Sequence, residues 1–149
     1  MSNFVDEYPR SLDDKGRFIL PSKLREKLKG TIYITRSPSA KDACLYIYPE
    51  EEWEKISEKL GKLPTATDPA SAAFVRKFFA KATSYEPDKQ GRVAISQRLM
   101  EFAGLSRDIV LVGANTRLEI WDARRWDDYQ DDMSDDIISE GILKYGINI

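Results

Sequence analysis

The sequence predicts an α+β fold built by duplication, in which two similar halves pair into one pseudo-two-fold unit with peripheral helices. Three observations point to it. The stretch "DDKGRFILP" opens at Asp13 and is echoed by "DKQGRVAIS" at Asp88, 75 positions further along a chain of 149 residues. The order of apolar runs and helical patterns after each copy is the same. A half of this size, made of several short strands, buries little apolar surface alone, so two halves sharing one core is the economical solution.

The elements follow in order. Asp13 and Asp88 stand at turn position i, with Gly16 and Gly91 at i+3. Asp there accepts backbone hydrogen bonds and Gly takes the left-handed conformation, which predicts a hairpin on a type I turn with a Gly bulge. "FILP" and "VAIS" read as short strands after the turns. "PSKLREKL" and "SQRLMEFAGL" read as short helices, with Ser22 and Ser96 as caps and Leu24 and Leu99 facing the core. Next come "TIYIT" and "DIVLV", then "LYIYPEEEW" and "LEIWDARRW", each a strand running into a helix. Trp53 and Trp126 each fall eight residues after the leading Leu and read as core anchors. From Glu50 to Leu60, Trp53, Ile56 and Leu60 share a helix face. "LGKLPTATDP" is the linker, and its Asp68-Pro69 predicts a capped helix start. The helix that follows presents Phe74, Val75, Phe78 and Phe79, with Phe74 and Phe78 expected between the halves. From Ser134, a last helix places Ile138, Ile142 and Tyr145 on one face. That face is expected to cap the core, with a contact to a neighbour as the alternative. The domain division that results is 1–67 and 68–149.

Composition restricts the chemistry. The chain has no histidine and one cysteine, Cys44. Zinc or iron–sulfur ligation by His and Cys is excluded within one chain, as is His-dependent acid–base catalysis. No GxSxG, GxxxxGK[ST] or GxGxxG is present. No catalytic residue, metal site or cofactor is therefore expected. No apolar run approaches the roughly 20 residues of a membrane span. The start "MSNFVDEYPR" has no apolar core, so it does not read as a signal peptide, and a cytoplasmic location is the default.

Net charge is −2, yet charge is segregated. Arg10 to Lys41 holds nine Lys/Arg against three Asp/Glu, and Arg76 to Arg107 seven against three. Asp42 to Glu58 holds six acids and one Lys, and Glu119 to Glu140 nine acids and two Arg. Each basic block contains one copy of the turn. This predicts a positive face bearing both turns and acidic elements elsewhere. Solvated helix faces of differing charge are the competing reading.

"SLDDKGRFILPSKLRE", "CLYIYPEEEW", "DKQGRVAISQRL", "AGL", "VLVG" and "LEIWDARRW", in this order and spacing, resemble the MraZ family over nearly the whole chain. The resemblance implies two tandem AbrB-like (swapped-hairpin) repeats. It further implies a transcriptional regulator that binds short tandem promoter repeats of the division and cell-wall gene cluster. The implied assembly is a ring-shaped homo-oligomer, an octamer or larger, associated with the nucleoid. Asp6 stands where the family usually has Gly, and Pro9 is unusual. A two-stranded ribbon carrying Arg fits the major groove of DNA. Lys15, Arg17, Lys89 and Arg92 are therefore the candidate contacts to double-stranded DNA, with the two Arg nearest the bases. Asp13, Gly16, Asp88 and Gly91 shape the turns. Arg10, Lys23, Arg25 and Arg98 are secondary phosphate contacts. An Asp–Arg salt bridge that only pins each turn is the competing reading, and the two roles are compatible. A ring-forming protein scaffold without DNA readout is the alternative function.

Overall fold

A computed structural model describes residues 3–147. Among them the chain forms strands β1 (Glu7–Ser11) and β2 (Arg17–Ile19), helix α1 (Ser22–Arg25), strands β3 (Ile32–Arg36) and β4 (Leu45–Pro49), and helices α2 (Glu50–Leu60) and α3 (Pro69–Ala80). Strands β5 (Thr83–Tyr85) and β6 (Arg92–Ala94), helix α4 (Gln97–Ala103), strands β7 (Asp108–Ala114) and β8 (Arg117–Asp122), and helices α5 (Ala123–Asp132) and α6 (Asp135–Leu143) follow. The fold is mixed α+β, and the second half repeats the first.

Six strands form one antiparallel sheet in the order β1-β7-β8-β4-β3-β5. The order is symmetric about the β8–β4 seam, where Tyr46 faces Glu119. The outer strands are exchanged. β1 of the first half pairs with β7 of the second, and β5 of the second pairs with β3 of the first. β2 and β6 leave the sheet and pair with each other as a separate two-stranded ribbon.

Strand alternation sets the layers. On one sheet face Ile32, Ile34, Leu45, Ile47, Ile109, Leu111, Leu118 and Ile120 are fully buried against the ribbon's Phe18 and Val93 and the helical Leu24 and Leu99. The other face carries Tyr33, Tyr46, Tyr48, Val110, Val112 and Trp121. Trp53 and Phe78 of α2 and α3 cover one side of it, and Trp126 and Tyr129 of α5 cover the other. Trp53 is sandwiched between the Tyr33 ring at 4.7 Å and the Phe78 ring at 5.4 Å. Thr35 donates its hydroxyl to the Phe78 carbonyl at 2.9 Å, which fixes α3 on the sheet. The acidic helices α2 and α5 thus lie on the sheet face opposite the ribbon.

Several expectations need correction. The turns close as expected, the Gly16 amide donating to the Asp13 carbonyl at 3.0 Å and the Asp13 amide to the Arg17 carbonyl at 2.8 Å, with Gly91, Asp88 and Arg92 matching them at 2.9 and 3.4 Å. What differs is that no β1–β2 ladder extends the first hairpin, because β2 pairs with β6 of the other half. Ser22 is not a cap: Pro21 holds that position with no side-chain bond, and α1 is a single turn. Ser96, by contrast, accepts from the Leu99 amide, and Asp68 caps α3 with Pro69 at the first helical position. Phe74 lies outside the core, exposed and stacked on Phe78 at 5.8 Å. Phe78 is buried as expected, packing from α3 of the second half onto Trp53 of α2 and onto β3 of the first. Trp126 is only half-buried, and its indole N–H donates to the Glu7 carboxylate at 2.7 Å. Ile138 and Ile142 on α6, and Tyr145 beyond it, are exposed at 41%, 39% and 73%, so this face does not cap the core.

Candidate nucleic-acid interface

The ribbon places both turns on one side of the molecule. Across its ladder Arg17 faces Ala94 and Ile19 faces Arg92. Residues two apart on a strand share a face, so Arg17, Ile19, Arg92 and Ala94 all point away from the core, while Phe18 and Val93 point into it. The two arginines therefore lie diagonally on one exposed surface, and each turn projects from an opposite end of the ribbon. Two backbone bonds lock the turns to the partner strand: Ile95 N–H to the Gly16 carbonyl at 2.9 Å, and Leu20 N–H to the Gly91 carbonyl at 2.8 Å.

Each turn is built the same way. The Asp13 carboxylate accepts from the Lys15 and Arg17 amides, both at 2.9 Å, and from Arg17 Nε at 2.8 Å. Asp88 accepts from the Gln90 amide at 3.0 Å, the Arg92 amide at 2.9 Å and Arg92 Nε at 2.6 Å. Gly16 and Gly91 close the turns at φ 72° and 77°, where glycine has no steric penalty. The Arg17 amide, with its guanidinium, holds the Asp13 carboxyl below its usual value, and the Arg92 amide and guanidinium do the same for Asp88. Both Asp residues are thus ionised at neutral pH and aim the arginines. The salt bridge forms, and it occupies only Nε, so it leaves both outer guanidinium nitrogens of Arg17, and Nη1 of Arg92, free to face a ligand. Such a fork can bridge guanine O6 and N7 or clamp a phosphate.

The turns are not identical. Arg92 Nη2 also donates to Gln90 Oε1 at 3.1 Å. Arg17 has no second side-chain partner among the described residues, because Lys15 stands where Gln90 does. Lys89 stands where the first turn has Asp14.

The secondary residues divide. Lys23 on α1 and Arg98 on α4 are exposed on the helices that follow the ribbon strands. Arg10 is tied to backbone, donating Nε to the Ile19 carbonyl at 3.0 Å and Nη1 to the Pro9 carbonyl at 2.8 Å. Arg25 donates Nε to the Leu20 carbonyl at 3.2 Å and lies against Gly91, where an added Cβ would come within 2.6 Å of that nitrogen. Arg10 and Arg25 thus brace the ribbon. Gln90 was not among the sequence candidates; its neutral side chain in a basic block is the only sign of it.

The seam holds a second polar group. Glu119 is buried, and accepts from Arg117 at 2.8 Å and from the Trp121 indole at 2.9 Å, while the Arg117 guanidinium stacks 4.0 Å above Tyr46. Every member is paired, which marks it as a structural lock. Among the described residues no group of three or more His, Cys, Asp or Glu could hold a metal ion, and no helix is long and apolar enough to cross a membrane. Burial raises the Cys44 thiol above its usual pKa, so it is not poised as a nucleophile.

The chain is similar to several known proteins over nearly its whole length. The family model described as "MraZ protein, putative antitoxin-like" matches residues 4–76 and again 78–140. A transcriptional regulator MraZ of Clostridium tetani is 45% identical over 97% of this chain and 99% of its own length. The transcriptional regulator MraZ of Acetivibrio thermocellus is also 45% identical, over 97% of this chain and 99% of its own. That of Salinispora arenicola is 44% identical over 94% and 97%.

Proposed function

Since the chain belongs to the MraZ family, whose matched relatives are transcriptional regulators and not enzymes, we propose that it reads promoter DNA through the two turns of the β2–β6 ribbon. One observation carries the reading: Arg17 and Arg92 stand on the same exposed ribbon face, each aimed by an Asp four residues earlier, at 2.8 and 2.6 Å. A ribbon of this kind enters the major groove, where the arginines reach base edges and Lys15 and Lys89 reach phosphates. Lys23 and Arg98 add phosphate contacts at the flanks. The acidic α2 and α5, on the opposite sheet face, are kept away from the phosphates.

A unit with net charge −2 and few phosphate contacts binds one site weakly and with strong salt dependence. Assembly into a ring of several copies, an octamer or larger, on tandem repeats compensates through effective concentration. The targets on this reading are the short promoter repeats of the division and cell-wall gene cluster, in a cytoplasmic, nucleoid-associated setting. The exposed apolar residues of α6 favour self-association, and they are also what a protein-interaction scaffold would display. One titration separates the readings: fluorescence anisotropy with duplexes carrying one or three promoter repeats, at several salt concentrations. The DNA-reading ring binds three repeats far more tightly than one, and loses affinity as salt rises. Equal affinity for both duplexes, or no salt-sensitive binding, overturns it in favour of the scaffold.

A further inference from the structure

We infer that Gln90 is a specificity-determining residue, which makes the Arg92 turn the stricter base reader of the two. The inference rests on the DNA-binding reading above and deepens it.

The matched turns differ in how firmly each guanidinium is held. Arg92 is held at two points, Nε by Asp88 at 2.6 Å and Nη2 by Gln90 at 3.1 Å. Arg17 is held at one, Nε by Asp13 at 2.8 Å. Lys15 carries no acceptor and repels the guanidinium, so the first turn cannot supply the second hold. The surroundings differ in the same sense. Arg25 lies against Gly91 of the second turn, whereas the matching position over Gly16 is taken by Met100, whose sulfur is 3.0 Å from the ideal Cβ site. The second turn is thus braced by a cation and the first by a flexible thioether.

Two-point hold matters because guanine readout needs the planar fork in one orientation. A guanidinium already fixed there gives up less rotamer freedom on binding and cannot swing to a neighbouring phosphate. Gln90 contributes directly too. With Oε1 occupied by Arg92, its amide nitrogen has no partner among the described residues and stands as a donor beside the fork. The second turn therefore presents a fixed set of donors matched to acceptors on a base edge. The first turn presents a swinging guanidinium and a mobile ammonium, which tolerate either bases or phosphates. Because the turns are unequal, a half-turn of the pseudo-two-fold unit on its site is not neutral, and the unit sits on a duplex in one orientation.

The test uses the full chain. Selection from a randomised duplex pool defines the preferred site, and anisotropy then measures affinity for every single base-pair substitution in it. Gln90→Ala and Gln90→Lys are compared with the parent; Gln90 is exposed, so both variants fold. At one cluster of base pairs both variants lower the ratio of preferred to substituted affinity by about tenfold, while ratios at the remaining positions stay as they were. Either variant keeping all the parent ratios overturns the inference, even if it binds every duplex more weakly. A parent that shows no base preference at all overturns the DNA-reading proposal itself.

Discussion

The backbone amide of Ile95 donates to the carbonyl of Gly16 at 2.9 Å, and this bond ties the end of one half's ribbon strand to the turn of the other. Its symmetric counterpart runs from Leu20 to Gly91. Together with the exchanged outer strands, these bonds leave neither half with a complete sheet. Residues 1–76 produced alone would keep β3 and β4 but lose the partners of β1, β2 and the outer edge of β3. They are expected either to be unfolded or to pair with a second copy. Circular dichroism with light scattering checks this, and a folded monomer of that fragment would contradict the exchanged topology.

Arg17→Ala and Arg92→Ala are each expected to weaken specific DNA binding by about 1–3 kcal/mol. The thermal midpoint should barely move, because exposed salt bridges contribute little to stability. Anisotropy and a thermal melt on the same preparations decide between the roles. A large fall in melting temperature with unchanged DNA affinity would mean that the arginines serve only to pin the turns.

What the sequence made legible follows from the range of the interactions. The Asp–Gly turns are local chemistry, so both were readable, as was the bond from Asp to Arg. The 75-residue offset showed the duplication, because loops between matched elements differ by only a few residues. The partner of β2 was not readable as a local question. A closed turn looks the same whether the strand after it stays with the strand before it or crosses to another half, so the turns were legible and the β2–β6 pairing was not. Helical periodicity placed Ile138 and Ile142 on one face of α6, and Phe74 beside Phe78. It could not say what covers a face, and here Ile138, Ile142 and Phe74 are exposed while Phe78 is buried. Gln90 was invisible because its role depends on where the Arg92 side chain lies.

Gly113→Ala is expected to destabilise the protein by about 1–3 kcal/mol. A Cβ at this position would collide with the backbone of Val5. The segment cannot retreat, because the Gly113 amide donates to the Asp6 carbonyl at 2.8 Å and Phe4 and Asn115 bridge the chain on the far side. Asp6 is itself left-handed, φ 78°, with its carboxylate accepting from the Glu7 amide at 2.8 Å, which lets a non-glycine residue occupy the site. Urea denaturation measures the loss, and an unchanged midpoint would show that the segment around Val5 is free to move.

DNA affinity should change by less than about twofold between about pH 6 and 8. The chain has no histidine. Asp13 and Asp88 have lowered pKa values, so their stabilising effect on the turns is fully present above the ordinary carboxylate value of 3.8 and is lost only as pH falls through the lowered ones. Tyr46 is pushed up to about 12 by burial and stays neutral. A tenfold change across this window in an anisotropy titration would require a titrating group outside this interface.

Charging the apolar face of α6 tests self-association without touching the ribbon. Ile138 and Ile142 are exposed on α6, and Ile137, Leu143 and Tyr145 extend the apolar surface around them. α6 buries no residue in the chain's own core, and Ser134 caps it independently by accepting from the Ile137 amide. The double variant Ile138→Glu, Ile142→Glu should therefore keep the thermal midpoint of the single chain, since an exposed apolar side chain contributes little to folding. It should lower the mass measured by light scattering, because two charges in a self-association seam leave unpaired carboxylates buried. Binding to three tandem repeats should then fall towards that for one repeat, as effective concentration is lost. If the mass and the preference for three repeats both persist, the ring closes through another surface, and α6 serves a different partner.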